Sequence, residues 1–141
     1  LRLYSLRTDE VLINRVNAPK FLGKVALVPN LLEQTVFESN MMRFGVDPER
    51  VLPLFLVAQL QHASVKGQIA RQSRDAVNQS SINQDDVRGL QLRLPPVSVQ
   101  QRYCTFVHRY NGLRSRLQGH LASTQCLGRA LQQQAFAGEK R

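Results

Sequence analysis

Phe106, Tyr110, Leu113, Leu117, Leu121, Thr124, Leu127 and Leu131 recur in steps of three or four, with no proline among them. This is the period of a helix seam, and no other feature of the chain restricts its fold as strongly. A helix continuing to Phe136 is about 55–60 Å long at 1.5 Å per residue, and so narrow an apolar stripe needs a second helix to cover it. The two successive steps of four from Leu113 to Leu121 form a stutter that partly unwinds a supercoil. Immediately upstream, Pro95 and Pro96 lack amide donors and end any strand pairing. Ser98 and Gln101 then fit the S-x-x-Q capping box, which predicts the helix start.

Ahead of this junction the pattern changes. EVLINRV, GKVALV and MMRFGV alternate apolar and polar residues in short runs separated by turn material such as NAPK and VPN, which is strand patterning. In DPERVLPLFLVAQLQHA, Asp47 and Pro48 fit a helix N-terminus, with Leu54, Phe55, Ala58 and Leu60 on one face; Pro53 can reset the start by one turn. VKGQIARQSRDA reads as a second helix with Gly67 as its weak point. Asn83, three residues before Asp86, offers a cap for a short turn through Leu90, and LQLRL reads as a final strand. The expected class is α/β (α+β): a small mixed-sheet domain over residues 1–94 and a helical arm over 95–141 that pairs as a coiled coil.

A chain of 141 residues, 43% hydrophobic, supports one core rather than two. Its formal charge of +9 favours an acidic partner: nucleic acid, an anionic membrane surface or an acidic protein face. Seven Lys/Arg against one acid lie beyond residue 94, so the arm carries +6 of that charge. No apolar run approaches the roughly 20 residues of a membrane span. The chain starts at Leu1 without a signal-like stretch, which suggests a fragment or processed product. Cys104 and Cys126 stand 22 positions apart on the expected helix, roughly 33 Å, too far for a disulfide and in keeping with a cytoplasmic protein.

Chemistry for catalysis is absent from the pattern. His62, His108 and His120 are isolated, and neither a zinc-type Cys/His cluster nor a phosphate-binding glycine loop occurs, so no cofactor, metal or catalytic residue is expected. Base reading favours Arg or Lys on guanine and Asn or Gln on adenine. Asn14, Arg15, Asn17, Lys20 and Lys24 cluster around one strand end, with Arg15 the leading candidate unless it is a solvated edge-strand charge or pairs with Glu10. Asn40 and Arg43 flank two methionines and fit base reading or turn chemistry. Lys66, Arg71 and Arg74 recur at helical spacing and suit phosphate contacts or a solvated face. Asn78, Gln79, Ser80 and Ser81 form a polar loop whose composition favours caps and turns over reading. Phe106, Tyr110, Leu113, Leu117, Leu121 and Leu131 are the candidate partner-binding set.

The order EVLINRVN, GKVALV, SSINQDDVRGLQLRLPP, QQR and LQQQAFAGE resembles the specificity (S) subunit of Type I restriction-modification enzymes over nearly the whole chain. Two positions depart from that family's pattern: Val99 replaces the acid that usually precedes Gln after the prolines, and Asp9-Glu10 replaces the Gly-Asp that often opens the L-x-x-R strand. The resemblance implies the later part of a target recognition domain plus its spacer helix. It implies double-stranded DNA and a methyltransferase subunit as partners, a restriction/translocase subunit reached through the methyltransferase, and catalysis in those partners. A homodimer of this part follows from the uncovered seam. A basic coiled-coil assembly module binding RNA or other nucleic acid without base preference is the alternative.

Overall fold

A computed structural model describes residues 4–76 and 79–137. The chain divides into two compact units, Leu1–Arg102 and Tyr103–Arg141. The elements are β1 (Val11–Asn14), β2 (Val16–Asn17), β3 (Val25–Leu27), β4 (Met41–Phe44), α1 (Pro53–Gln61), α2 (Ala63–Gln72), β5 (Arg74–Ala76), β6 (Gln79–Ser81), α3 (Gln84–Arg88) and α4 (Val97–Ala137). Small sheets followed by a long C-terminal helix make this the expected α/β class. Every strand pairing among the described residues is antiparallel, in two three-stranded sheets ordered β3-β1-β4 and β2-β6-β5.

Alternation along β1 places Val11 and Ile13 in the core at 0% exposure, while Leu12 and Asn14 point to the other, half-buried side. Leu56, Val57 and Leu60 of α1 and Val65 and Ile69 of α2 pack in the same cluster, completed by Ile82 and Leu90. Of the face expected on α1, Phe55 and Leu60 are buried, whereas Leu54 and Ala58 are only half-buried. Gly23, at φ 69°, is held to glycine twice over: a Cβ there would stand 2.9 Å from the Ile69 side chain.

Local chemistry explains where the chain departs from its sequence pattern. Asp47 caps a turn and not a helix, its Oδ1 accepting from the Glu49 N–H at 3.0 Å. The helix begins at Pro53, the reset allowed for above. The second helix ends at Gln72, where the Ser73 N–H donates to the Ile69 carbonyl; Arg74–Ala76 then form a strand and not the last helical turn. LQLRL is not a strand. The Gln68 carboxamide accepts from the Gln91 N–H at 2.8 Å and donates to the Gln91 carbonyl at 3.0 Å, so a side chain from α2 takes the place of a neighbouring strand. Leu90 and Leu92 still reach the core. Asn83 and Asp86 form a reciprocal capping box on α3, as their spacing predicts.

Ser98 is not the cap of α4. The helix starts at Val97, and the Pro96 carbonyl accepts from the Val99 and Gln100 N–H groups, leaving Ser98 inside the first turn. Gln100, in that turn, is fully buried. Its Oε1 accepts from the Leu52 N–H at 2.9 Å, and its Nε2 donates to the carbonyls of Arg50 at 3.1 Å and Pro95 at 2.8 Å. One buried carboxamide thus pairs with backbone groups at the entry to α1 and at the proline junction. Within the second unit α4 runs unbroken to Ala137; Cys104 and Cys126 both lie on it and neither forms a disulfide.

Candidate nucleic-acid interface

Arg15 stands between β1 and β2, where the chain passes from one sheet to the other. The Asn40 carbonyl accepts from both the Arg15 N–H at 2.8 Å and the Val16 N–H at 3.3 Å, two residues against one, which is the pattern of a β-bulge. The Arg15 carbonyl in turn accepts from the Ile82 N–H at 2.9 Å. Backbone bonds to Ile82, just past β6, on one side and to Asn40, ahead of β4, on the other therefore fix this residue. Such bulges re-aim a side chain out of the regular alternation.

The Arg15 side chain is shared by two adjoining concavities. One is lined with Val16, Ser39, Asn40 and Gln79, the other with Tyr4, Phe37, Ser39, Met41, Arg43 and Gln84. A third, more apolar hollow continues from Met42, Arg43 and Gln84 to Phe44, Val87 and Arg88. Through the shared residues Arg15, Ser39, Met42, Arg43 and Gln84 the three adjoin as a shallow trough lined by arginine and carboxamide residues. The Arg15 Nε is buried without a hydrogen-bond partner. Its expected alternative partner is otherwise engaged, because Glu10 pairs with Arg43 and also accepts from the Arg7 N–H. Arg88 pairs with Asp85 and Arg74 with Asp86, so among the described residues Arg15 is the trough arginine without a carboxylate.

A separate concavity of ≈ 360 Å³ lies against α2, lined by Lys20, Lys24, Lys66, Ile69, Asp75 and Ser80 among others. Lys20 and Lys24 both stand over the Phe21 ring, 4.7 and 4.2 Å from its centre. The ring's quadrupole attracts each ammonium and partly offsets the repulsion between them. Ser80, 1% exposed, donates its hydroxyl to Asp75 at 2.5 Å.

The residues singled out from sequence therefore fall into different places. Arg15, Asn40 and Arg43 meet in the trough, and Lys20, Lys24 and Lys66 meet in the second concavity. Arg71 and Arg74 do not join Lys66 in one helical row, because Arg74 is on β5 and bound to Asp86 at 2.9 Å, while Arg71 is exposed on the last turn of α2. The Asn14 Oδ1 is buried, and the Asn17 Oδ1 accepts from the Ala18 N–H at 2.8 Å, a turn role. Gln79 faces the trough and Ser80 the lysines, as alternation along β6 requires. Ser39, Gln84, Tyr4 and Phe37 were not legible as trough residues because they lie outside the basic clusters, and Gln79 sits in a stretch whose composition favours turns over reading. Asn78 lies outside the described residues, as do Gly138 and Glu139 of the A-F-x-G-E terminus.

Along α4 the seam is uncovered in this chain. Phe106, Tyr110, Leu113, Leu117, Leu121 and Leu131 are all more than half exposed, with Phe106 and Tyr110 stacked at 6.4 Å. Tyr110, Leu113, Leu117 and Leu121 line an apolar groove along one face with Arg114 and Gln118. Among the described residues no His/Cys/Asp/Glu group could hold a metal ion, and no helix is long and apolar enough to cross a membrane.

Fold and site together describe a basic α/β domain with an arginine-centred trough, continued by a helix bearing an uncovered apolar stripe. Over 110 residues, 78% of its length, the chain is 27% identical to a protein of Methanocaldococcus jannaschii assigned by name as the specificity subunit of the type I restriction enzyme MjaX. The match covers 26% of that protein, so the chain spans about a quarter of its relative. No protein-family model matches the chain.

Proposed function

We propose that this chain is the DNA-reading part of a Type I restriction-modification specificity subunit, recognising one half of a bipartite double-stranded target. Residues 1–94 serve as a partial target recognition domain and residues 95–141 as the helical spacer. The observation that carries this reading is the trough around Arg15. It offers an uncompensated guanidinium flanked by the carboxamides of Asn40, Gln79 and Gln84, the donor and acceptor types that match base edges. Lys20, Lys24 and Lys66 supply phosphate contacts, which set position but carry no sequence information. Likeness to a protein named as a specificity subunit supports the same assignment.

The seam of α4 docks a methyltransferase subunit and pairs with a second helix, from another copy or from the remainder of the subunit. The restriction/translocase subunit joins through the methyltransferase, and the chain itself is non-catalytic and cytoplasmic. Selection of duplexes from a random DNA pool, with the protein and its methyltransferase partner together, tests the proposal. An enriched motif split by a fixed spacer is the expected result. A stable complex that enriches nothing points to an assembly or RNA-binding module and overturns it.

A further inference from the structure

We infer that Arg15 is a specificity-determining residue that commits one position of the half-site to a guanine. This rests on the DNA-reading function proposed above and goes further by naming a base. Arg43 and Arg88 line the trough with Arg15, Arg74 lies on β5, and the four are not equivalent. Arg43 is bound to Glu10, with its guanidinium 5.8 Å from the centre of the Phe37 ring. Arg74 is bound to Asp86 at 2.9 Å and Arg88 to Asp85 at 3.1 Å. The Arg43 charge is offset by a largely buried carboxylate, whereas the Arg74 and Arg88 side chains stand mostly in solvent. Arg15 has no carboxylate partner among the described residues.

The geometry at Arg15 also limits what it can bind. The bulge fixes its backbone through Asn40 and Ile82, and its Nε is buried, so the two terminal nitrogens are the donors left for a ligand. A forked pair of donors on a fixed stem matches two acceptors side by side, and in the major groove guanine alone presents O6 and N7 together. Asn40 and Gln79 line the same concavity and are suited to the neighbouring base pair, so the arginine sits among groups that read base edges. The lysine concavity, with three flexible point charges, has the complementary character of a phosphate site.

The test compares selected motifs. The full protein with its methyltransferase partner is run through random-pool selection as wild type, R15A, R15Q and K66A. R15Q keeps most of the side-chain stem, which guards against a loss of fold; melting curves confirm that each variant is native. The expected wild-type half-site contains a G·C pair whose preference, on the order of ten- to hundred-fold, disappears in R15A and R15Q while the other positions persist. K66A should keep the whole motif and lower the slope of log affinity against log salt by about 1. An R15A motif identical to wild type, with uniformly weaker binding and a shallower salt slope, makes Arg15 a phosphate ligand and overturns the inference while leaving the recognition function standing. A wild-type selection without any motif overturns both.

Discussion

The unit Leu1–Arg102 and the helical unit that follows dispose of similar apolar side chains in opposite ways. In the first, Val11, Ile13, Leu60 and Ile82 are at most 2% exposed, sealed by two small sheets and two helices. In the second, Leu113, Leu117, Leu121, Leu127 and Leu131 are each 57–61% exposed on one stripe. A side chain that is buried by its own domain stabilises that domain, whereas one left exposed at regular helical spacing is stabilising only when another surface covers it. The first unit thus buries its apolar side chains within itself and presents a trough; the second leaves its apolar stripe exposed, and on the proposed function that stripe is covered by a partner.

The largest effect that can break this comparison is in the seam. Replacing Leu117 and Leu121 together with glutamate should weaken association at least about 100-fold, because each carboxylate would be buried against an apolar face. Sedimentation at micromolar concentration measures this. A double variant that still associates like wild type would show that the stripe is not the interface. The melting of the first unit should be unaffected.

Gln100→Ala should act in the reverse sense, on the first unit alone. Removing a buried carboxamide that pairs with Leu52, Arg50 and Pro95 leaves three backbone groups unsatisfied, with a cost of about 3 kcal/mol. Urea unfolding followed by a signal from the first unit reports it; an unchanged midpoint would mean that water replaces the side chain without loss.

A smaller effect is expected from Asp86. The Asn83 N–H holds its carboxyl below the ordinary value of 3.8, partial desolvation opposes this, and the Arg74 guanidinium adds to the lowering. A depressed folded-state value means that the contribution is fully present above pH 3.8 and fades as the pH falls through the folded value. Asp86→Asn should therefore lower the melting temperature at pH 7 and narrow the difference between pH 7 and pH 3. Equal pH dependence in both proteins contradicts the assignment.

The smallest change is at a strained backbone position. Asp9 has φ 66°, a left-handed conformation that favours glycine. Asp9→Gly should stabilise the first unit by a few tenths to about 1 kcal/mol. A destabilised variant would show that the aspartate makes a compensating local interaction.

Much of this architecture is legible in the sequence because it rests on local periodicity. Alternation places β1, β3 and β4, the Asn83–Asp86 spacing gives the α3 cap, and the three- and four-residue steps give α4. Failures occur where a different group takes the place of the expected partner. Gln68 satisfies Gln91 in place of a strand, and Pro96 supplies the first helical acceptor in place of Ser98. The candidate site follows the same rule. Arg15 stands out by its basic cluster and strand setting, but that Glu10 pairs with Arg43 instead is a contact across 33 residues that no local pattern encodes. Ser39 and Gln84 join the trough only through the pairing of β1 with β4 and the placement of α3.

Whether the trough of the first unit reads DNA sequence is tested most directly by the ratio of affinities for the selected target and a scrambled duplex. It is measured in the full protein with its methyltransferase partner, and again after Arg15, Asn40 and Gln79 are all changed to alanine. The wild-type complex should prefer its target by roughly 10³-fold or more. The triple variant, with unchanged melting, should bind both duplexes at the non-specific level. A triple variant that keeps the full preference would contradict the account and place recognition elsewhere in the protein.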